Sequence, residues 1–175
     1  LLRLHAGQRA GERSSHGVHV LPKATVIRPC GPADIDRLMA LWLPSTIAAH
    51  PFVAEKYWRE SAALVRENYL PRAQSWACWH ENEIVGFISV LDEQFIGALF
   101  VDRAYHGRGV AQALMTHVQQ RYRRLSLEVY QQNLRACAFY HKHGFQVTQR
   151  LFNDETQAYT LIMNWPAIEN STGYG

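Results

Sequence analysis

From Thr25 onward, apolar residues recur with two periods. Short apolar runs bounded by Pro, Gly, Asn or Asp predict strands, and apolar residues three and four apart predict helices. Thr25-Val26-Ile27-Arg28 is a short strand closed by Pro29. Pro32-Ala33-Asp34 opens a helix with Pro in its first turn, and Ile35, Leu38, Met39 and Trp42 form its apolar stripe. Pro44 lacks the N–H that a helix interior needs, so this helix is expected to end or kink there. After the loop Ala48-Ala49-His50-Pro51-Phe52, a second helix is predicted from about Ala54 to Asn68, with Tyr57, Trp58, Leu64 and Val65 inward and Pro71 closing it.

Ser75 to His80 and Ile84 to Leu91 flank the polar turn Glu81-Asn82-Glu83 and predict a hairpin. Phe95 to Val101 is almost continuously apolar, as in a strand covered on both faces. Then come a helix from Gly109 to about Arg121, a strand from Leu125 to Tyr130, and a helix from Leu134 to His143 stopped by Gly144. Phe145 to Arg150 and Ala158 to Trp165 are the last two strands. The order β-α-α-β-β-β-α-β-α-β-β combines hairpins with helical crossovers. It predicts an α/β (α+β) single domain whose mixed, mostly antiparallel sheet of about seven strands is flanked by helices.

Residues 1–24 keep neither period and are rich in Arg, Gly, Ser and His. They are expected to be a disordered extension whose deletion leaves folding and activity intact. The domain is expected over residues 25–167, with 168–175 as a tail. A length of 175 residues favours one domain with a real core, and 47% apolar against 19% charged residues excludes a disordered chain. The formal charge of +3 gives no footprint for nucleic acid, which needs clustered Lys and Arg. The densest basic run, Arg121 to Arg124, falls at a predicted helix end, where it complements the dipole. Cys30, Cys78 and Cys137 form no CxxC pair, which points to a reducing, cytoplasmic compartment. No apolar run approaches a membrane span and the N-terminus has no signal-peptide core, so no membrane partner is expected.

The chemistry starts at the turn after Val101. Small residues at Gly107, Gly109 and Ala111 let the backbone approach a bulky anion, and the free N–H groups of the following helix point at it. Arg108 adds a possible side-chain contact. No Gly-Lys-Ser/Thr follows, so this is not a Walker A loop, and Gln112 breaks a GxGxxG fingerprint. By itself the turn also fits an ordinary strand-to-helix connection.

The segment His106-Gly107-Arg108-Gly109-Val110-Ala111 resembles motif A of the GNAT superfamily of N-acetyltransferases, Arg/Gln-x-x-Gly-x-Gly/Ala. Gly109 and Ala111 match, and His106 departs from the usual Arg or Gln. The stretch from Asn133 to Phe145 resembles motif B, N-x-x-A-x-x-F-Y-x-x-x-G-F, with Asn133, Ala136, Phe139, Tyr140, Gly144 and Phe145 matching. The likeness covers about Val26 to Trp165. It is closest to small bacterial enzymes that acetylate protein lysines or peptides, through Leu41-Trp42-Leu43, His50-Pro51-Phe52, Leu127-Glu128-Val129-Tyr130 and Asp154-Glu155-Thr156-Gln157. The resemblance implies a GNAT-like fold and acetyl-CoA as acyl donor. It implies a pyrophosphate on His106 to Gln112, with Val110 in the first helical turn. It implies a pantetheine arm along Phe100, Val101 and Asn133, flanked by Ala136 and Phe139, and Tyr140 facing the cofactor sulfur. Lys142 is a further candidate near the cofactor phosphates.

Amine attack on a thioester expels a thiolate that needs a proton, and a phenol with a pKa of about 10 stays protonated at pH 7 and can donate it. Tyr140 is therefore the candidate acid. A lysine amine, with a pKa of about 10.4, must first lose its own proton. Glu128 is the candidate base, because a carboxylate is unusual in a strand of Leu125, Leu127 and Val129 and burial raises a carboxylate's proton affinity. Glu155 and His50 are the runners-up. An imidazole at position 106 beside a pyrophosphate is expected to carry raised positive charge. Trp42, Phe52, Tyr57 and Trp58 read mostly as core, and the resemblance implies that His50 and Phe52 line the acceptor side. Cys137 reads as a packing residue. His141 and His143 do not share a helix face, so no metal site is expected.

The predicted activity is direct acetyl transfer to a primary amine, a protein lysine or peptide amine first, with a small-molecule amine or a non-catalytic coenzyme A sensor as alternatives. Acceptor specificity is expected in residues 45–56 and 152–158. The protein is expected to be a monomer or a homodimer.

Overall fold

The computed structural model describes residues 21–22, 24–92 and 94–167. Residues 1–20, 23 and 168–175, and with them most of the expected extension and tail, lie outside the described residues. Strand β1 (Thr25–Pro29) leads into helix α1 (Ile35–Ala49) through a short turn that starts at Pro32. Helix α2 (Glu55–Leu64) ends in a wider turn, Val65–Tyr69. Strands β2 (Gln74–His80), β3 (Glu83–Leu91) and β4 (Phe95–Val101) form the meander. Helix α3 (Val110–Gln119), strand β5 (Leu125–Tyr130), helix α4 (Leu134–Lys142) and strands β6 (Gln146–Asn153) and β7 (Ala158–Trp165) complete the order. Leu21 packs on the core just ahead of β1.

Among the differences from the expected boundaries, two have a tertiary cause. Helix α1 does not stop at Pro44 but runs on to Ala49. The carbonyl that Pro44 deprives of a partner belongs to Ala40, an exposed residue, where solvent can take the place of the missing N–H. Strand β6 continues past Arg150 to Asn153, held by pairing such as Phe152↔Tyr159 with β7.

One seven-stranded sheet runs β1-β2-β3-β4-β5-β7-β6. Every neighbouring pair is antiparallel except β4 and β5, which are parallel because α3 carries the chain back between them. Alternation along the central strands divides the core in two. Leu99, Val101, Leu125, Leu127 and Val129 meet Val110, Leu114 and Met115 of α3 and Ala136 and Tyr140 of α4 on one face. Phe87, Ala98, Phe100 and Tyr130 meet Leu38, Met39 and Trp42 of α1 and Trp58 of α2 on the other. The sheet is covered on both sides where β4 and β5 lie, which explains the continuous apolar run of β4.

Gly86 in β3 sets how closely the start of α3 approaches. A Cβ there would stand 2.9 Å from Val110 Cγ1 and 3.1 Å from the Phe100 carbonyl oxygen. Gly86→Ala is therefore expected to cost about 1–3 kcal/mol, read as a lower midpoint in urea unfolding.

Candidate active site

Strands β4 and β5 pair at Phe95↔Ser126 and Ile96↔Leu127 and then part. A bulge helps to turn β4 away, because Gly97 falls between Ser89↔Ala98 and Val90↔Ile96 and opposes no residue of β3. Beyond it, β4 stays with β3 through Gly86↔Val101, and β5 stays with β7 through Glu128↔Ile162 and Tyr130↔Thr160. A cleft opens between two strands that are each held on their outer side. The backbone of Phe100 and Val101 lies on its β4 edge, where peptide groups without a strand partner can bond an extended ligand.

The turn follows directly. Asp102 Oδ1 accepts the Ala104 amide at 2.8 Å, and a helical turn, Arg103–Tyr105, sits above it. Gly107 and Gly109 have φ of +78° and +82°, in the left-handed region that glycine enters without cost, and Gly109 caps α3. The first-turn amides of Val110, Ala111 and Gln112 have no acceptor within the helix. Val110 and Ala111 are buried and Gln112 is exposed. Arg108 is exposed, with its guanidinium 5.6 Å from the ring centre of Tyr105. His106 turns back, with its Nε2 hydrogen-bonded to the Val101 carbonyl at 2.9 Å. That bond fixes the ring to the end of β4 and makes His106 a brace of the turn, a role that residue type alone did not predict. A cavity of about 440 Å³ lies beside the turn, between Val101 and His106 on one side and Ala40, Pro44 and Ala48 on the other. Neither Glu128 nor Tyr140 lines it.

Helix α4 supplies the other wall. Asn133 caps it, with Oδ1 accepting the Ala136 amide at 3.3 Å. Asn133, Ala136 and Tyr140 are spaced to share one helix face, and all three are buried. Asn133 Nδ2 and the Tyr140 hydroxyl are both buried without a hydrogen-bond partner. Each orphaned group costs about 1–3 kcal/mol, and two along one helix face fit an extended polar ligand such as a pantetheine arm ending in a sulfur. Burial pushes the Tyr140 hydroxyl well above the ordinary tyrosine value. Phe139 is half-buried, 5.6 Å from Tyr140 ring to ring, and Lys142 is exposed. The Cys137 thiol donates to the Tyr130 carbonyl at 3.7 Å, and its pKa is raised by burial, as suits a packing residue. Among the described residues no cluster of His, Cys, Asp or Glu can hold a metal ion.

Glu128 lies on the opposite face of β5, only 2% exposed. Its Oε2 accepts the Thr160 hydroxyl at 2.6 Å, so the carboxylate is buried and bonded rather than an exposed partner of an arginine. Thr160 carries no sequence signal, because only the β5–β7 register brings it beside Glu128. Two residues on, Tyr130 ties both flanking loops together. Its ring packs against His50 and Phe52, with centroids 5.1 and 5.3 Å away, and its hydroxyl donates to Thr156 Oγ1 at 3.1 Å. Burial pushes its pKa up to about 12. Of the other two candidate bases, His50 is fully buried with Nδ1 donating to the Thr46 carbonyl at 2.7 Å, and Glu155 is exposed on the β6–β7 turn.

A glycine turn with free helix amides, a parted strand pair, and a buried phenol and carboxylate on its two faces fit an acyltransferase that draws on a phosphate-bearing carrier. The chain belongs to the GNAT acetyltransferase family, whose domain model matches residues 47–160. It is 40% identical over 144 residues to the peptidyl-lysine N-acetyltransferase YiaC of Escherichia coli, a match that covers 82% of this chain and 99% of that protein. The solution structure of apo-form YjaB from Escherichia coli superposes with a TM-score of 0.70 at 33% identity, covering 81% of this chain and 97% of that one. The PaiA N-acetyltransferase of Thermoplasma acidophilum, solved in complex with coenzyme A, shares the fold with a TM-score of 0.67 at 17% identity, covering 80% and 97%.

Thr160→Val removes a buried donor from a buried carboxylate. It is expected to cost about 1–3 kcal/mol, measured by urea unfolding at pH 7.

Proposed function

We propose that the protein transfers the acetyl group of acetyl-coenzyme A directly to a peptidyl-lysine amine. The observation that carries this reading is the orphaned Tyr140 hydroxyl on one face of the parted strands, with the buried Glu128 carboxylate on the other. The relatives named as peptidyl-lysine N-acetyltransferases support lysine as the acceptor. On this reading, the amides from Gly107 to Gln112 hold the pyrophosphate and Arg108 adds charge. The β4 edge at Phe100 and Val101 pairs with the pantetheine arm, and Asn133 Nδ2 donates to it. Ala136 leaves room for the arm, and Phe139 and Lys142 flank it. Acetyl-coenzyme A, bound there, supplies an acetyl thioester and leaves as the free thiol.

Glu128 removes the proton from the lysine ammonium, directly or through a water, so that a neutral amine reaches the carbonyl. Thr160 holds the carboxylate in place while it does so. As the C–N bond forms and the C–S bond breaks, Tyr140 gives its hydroxyl proton to the departing sulfur, and the second proton lost by the amine nitrogen restores the phenol. Its raised pKa keeps that proton in place, so Tyr140 gives no alkaline limb to the rate profile below about pH 10. No helix among the described residues is long and apolar enough to cross a membrane, and all three cysteines are free. Both fit a protein of the cytoplasm.

A thiol-release assay with acetyl-coenzyme A tests the activity. Lysine peptides are expected to support turnover ahead of polyamines, amino sugars and free amino acids, and thiol release with none of them would reject transfer. Tyr140→Phe is expected to lower kcat by roughly ten- to ten-thousand-fold with little change in cofactor affinity. Glu128→Gln is expected to lower kcat with little change in cofactor affinity, and an unchanged kcat would place the base elsewhere.

A further inference from the structure

The register of β4 against β3 decides which peptide groups reach the cleft. The Asp102 N–H donates to the Val85 carbonyl at 2.8 Å, so Asp102 and Val85 are a hydrogen-bonded pair and the next pair, Gly86↔Val101, is a non-bonded one. Val101 therefore turns its own N–H and C=O away from β3, and Phe100 turns its pair toward β3. In agreement, the Phe100 carbonyl oxygen lies 3.1 Å from where a Cβ on Gly86 would stand. Strand β5 has already left β4 at this level, because the two pair only at Phe95↔Ser126 and Ile96↔Leu127. The Val101 carbonyl is thus the last acceptor on the open edge of β4 before the glycine turn.

A side chain of the same turn already holds that acceptor. His106 Nε2 is 2.9 Å from the Val101 carbonyl oxygen, and because a carbonyl only accepts, Nε2 carries the proton. The ring is half-buried and belongs to the residue just before Gly107, the first of the two turn glycines with positive φ. It also lines the cavity of about 440 Å³, together with Ala40, Pro44 and Ala48 of α1. These small side chains leave the imidazole room to rotate without a change in the backbone.

We propose that His106 couples recognition of the two halves of the acyl donor: its Nε2–H fills the Val101 carbonyl until a pantetheine amide takes that acceptor, and the displaced imidazole then bonds the pyrophosphate on the turn. This rests on the reading of the cleft as a coenzyme A channel. The hydrogen bonds balance only when both halves are present. The carbonyl exchanges one N–H donor for another, and the imidazole exchanges a carbonyl for a phosphate oxygen, whose charge makes it the stronger acceptor. A pantetheine thioester without the pyrophosphate displaces the imidazole and gives it no new acceptor. A half-buried donor that loses its partner offsets much of what the new amide bond gains. The site therefore selects its acyl carrier by requiring the pyrophosphate as well as the pantetheine arm. His106 is on this account a specificity-determining residue for the donor, and the brace of the turn only in the free protein.

The test compares coenzyme A with pantetheine, which has the same amides and thiol but no pyrophosphate. Dissociation constants are measured in the wild type and in His106→Ala, by calorimetry for coenzyme A and by chemical-shift titration for the weaker ligand. The variant is expected to raise the Kd for coenzyme A about three- to tenfold and to leave the Kd for pantetheine unchanged or lower. His106→Gln, which keeps a side-chain N–H donor of similar reach, is expected to recover part of the coenzyme A affinity. Equal weakening of both ligands in His106→Ala, as a purely structural brace would give, overturns the coupling and leaves the transferase reading intact. An unchanged Kd for coenzyme A does the same, and so does a structure of the wild type with coenzyme A in which Nε2 still donates to the Val101 carbonyl. A wild-type protein that binds no coenzyme A and releases no thiol from acetyl-coenzyme A overturns both readings.

Discussion

Everything at the site depends on the strand pair that does not stay paired. A parallel neighbour normally satisfies the peptide groups along its whole edge. Here β4 and β5 share a ladder only at Phe95↔Ser126 and Ile96↔Leu127, and the bulge at Gly97 bends β4 away after that. The cleft persists because each strand is anchored on its far side, β4 to β3 and β5 to β7. Two cores, one under α3 and α4 and one under α1 and α2, press on the sheet from both faces and prevent collapse. Backbone polarity that the fold leaves without a strand partner is free to bond a ligand.

The parting also explains why the two proposed proton-handling groups lie on opposite faces. Residues of β5 alternate, so Val129 belongs to the core that holds Tyr140 whereas Glu128 and Tyr130 look toward α1 and α2. A donor and an acceptor that enter from different faces meet only where the sheet is open. Neither group needs an acyl-enzyme in this arrangement, which fits the half-buried Cys137 with its raised pKa. The orphaned Tyr140 hydroxyl and Asn133 amide are on the α3–α4 side, and the orphaned Tyr57 hydroxyl is on the α1–α2 side. Unsatisfied buried polar atoms thus stand on both approaches to the cleft.

Most of the fold was legible because it is written in local terms. Strand and helix periods, the glycines at 107 and 109 with positive φ, and Asn133 as a helix cap each depend on neighbours a few residues away. The spacing between the glycine turn and the Asn133–Tyr140 helix is what makes the site proposed here readable in the sequence. What escaped was non-local. Pro44 was expected to end or kink α1, and the helix does not end there; the exposure of Ala40 makes the proline tolerable, and exposure is a tertiary fact. Thr160 holds Glu128 only through the β5–β7 register. Tyr130 links the loop after α1 to the β6–β7 turn through His50 and Thr156, partners 80 residues back and 26 on in the chain. His106 could be assigned to the turn from its position, but its bond back to Val101 required the turn's actual path.

The claim that organises this account is that the parted strands are a cofactor channel whose inner end is Tyr140. A structure of the protein with coenzyme A tests it most directly. The account predicts the pyrophosphate on the amides after Gly107 and pantetheine amides bonded to the β4 edge and to Asn133 Nδ2. It also predicts the sulfur within hydrogen-bond reach of the Tyr140 hydroxyl, roughly 3.5 Å for a sulfur acceptor. Coenzyme A bound away from the cleft, or in it with Tyr140 and Asn133 still unpartnered, would contradict it.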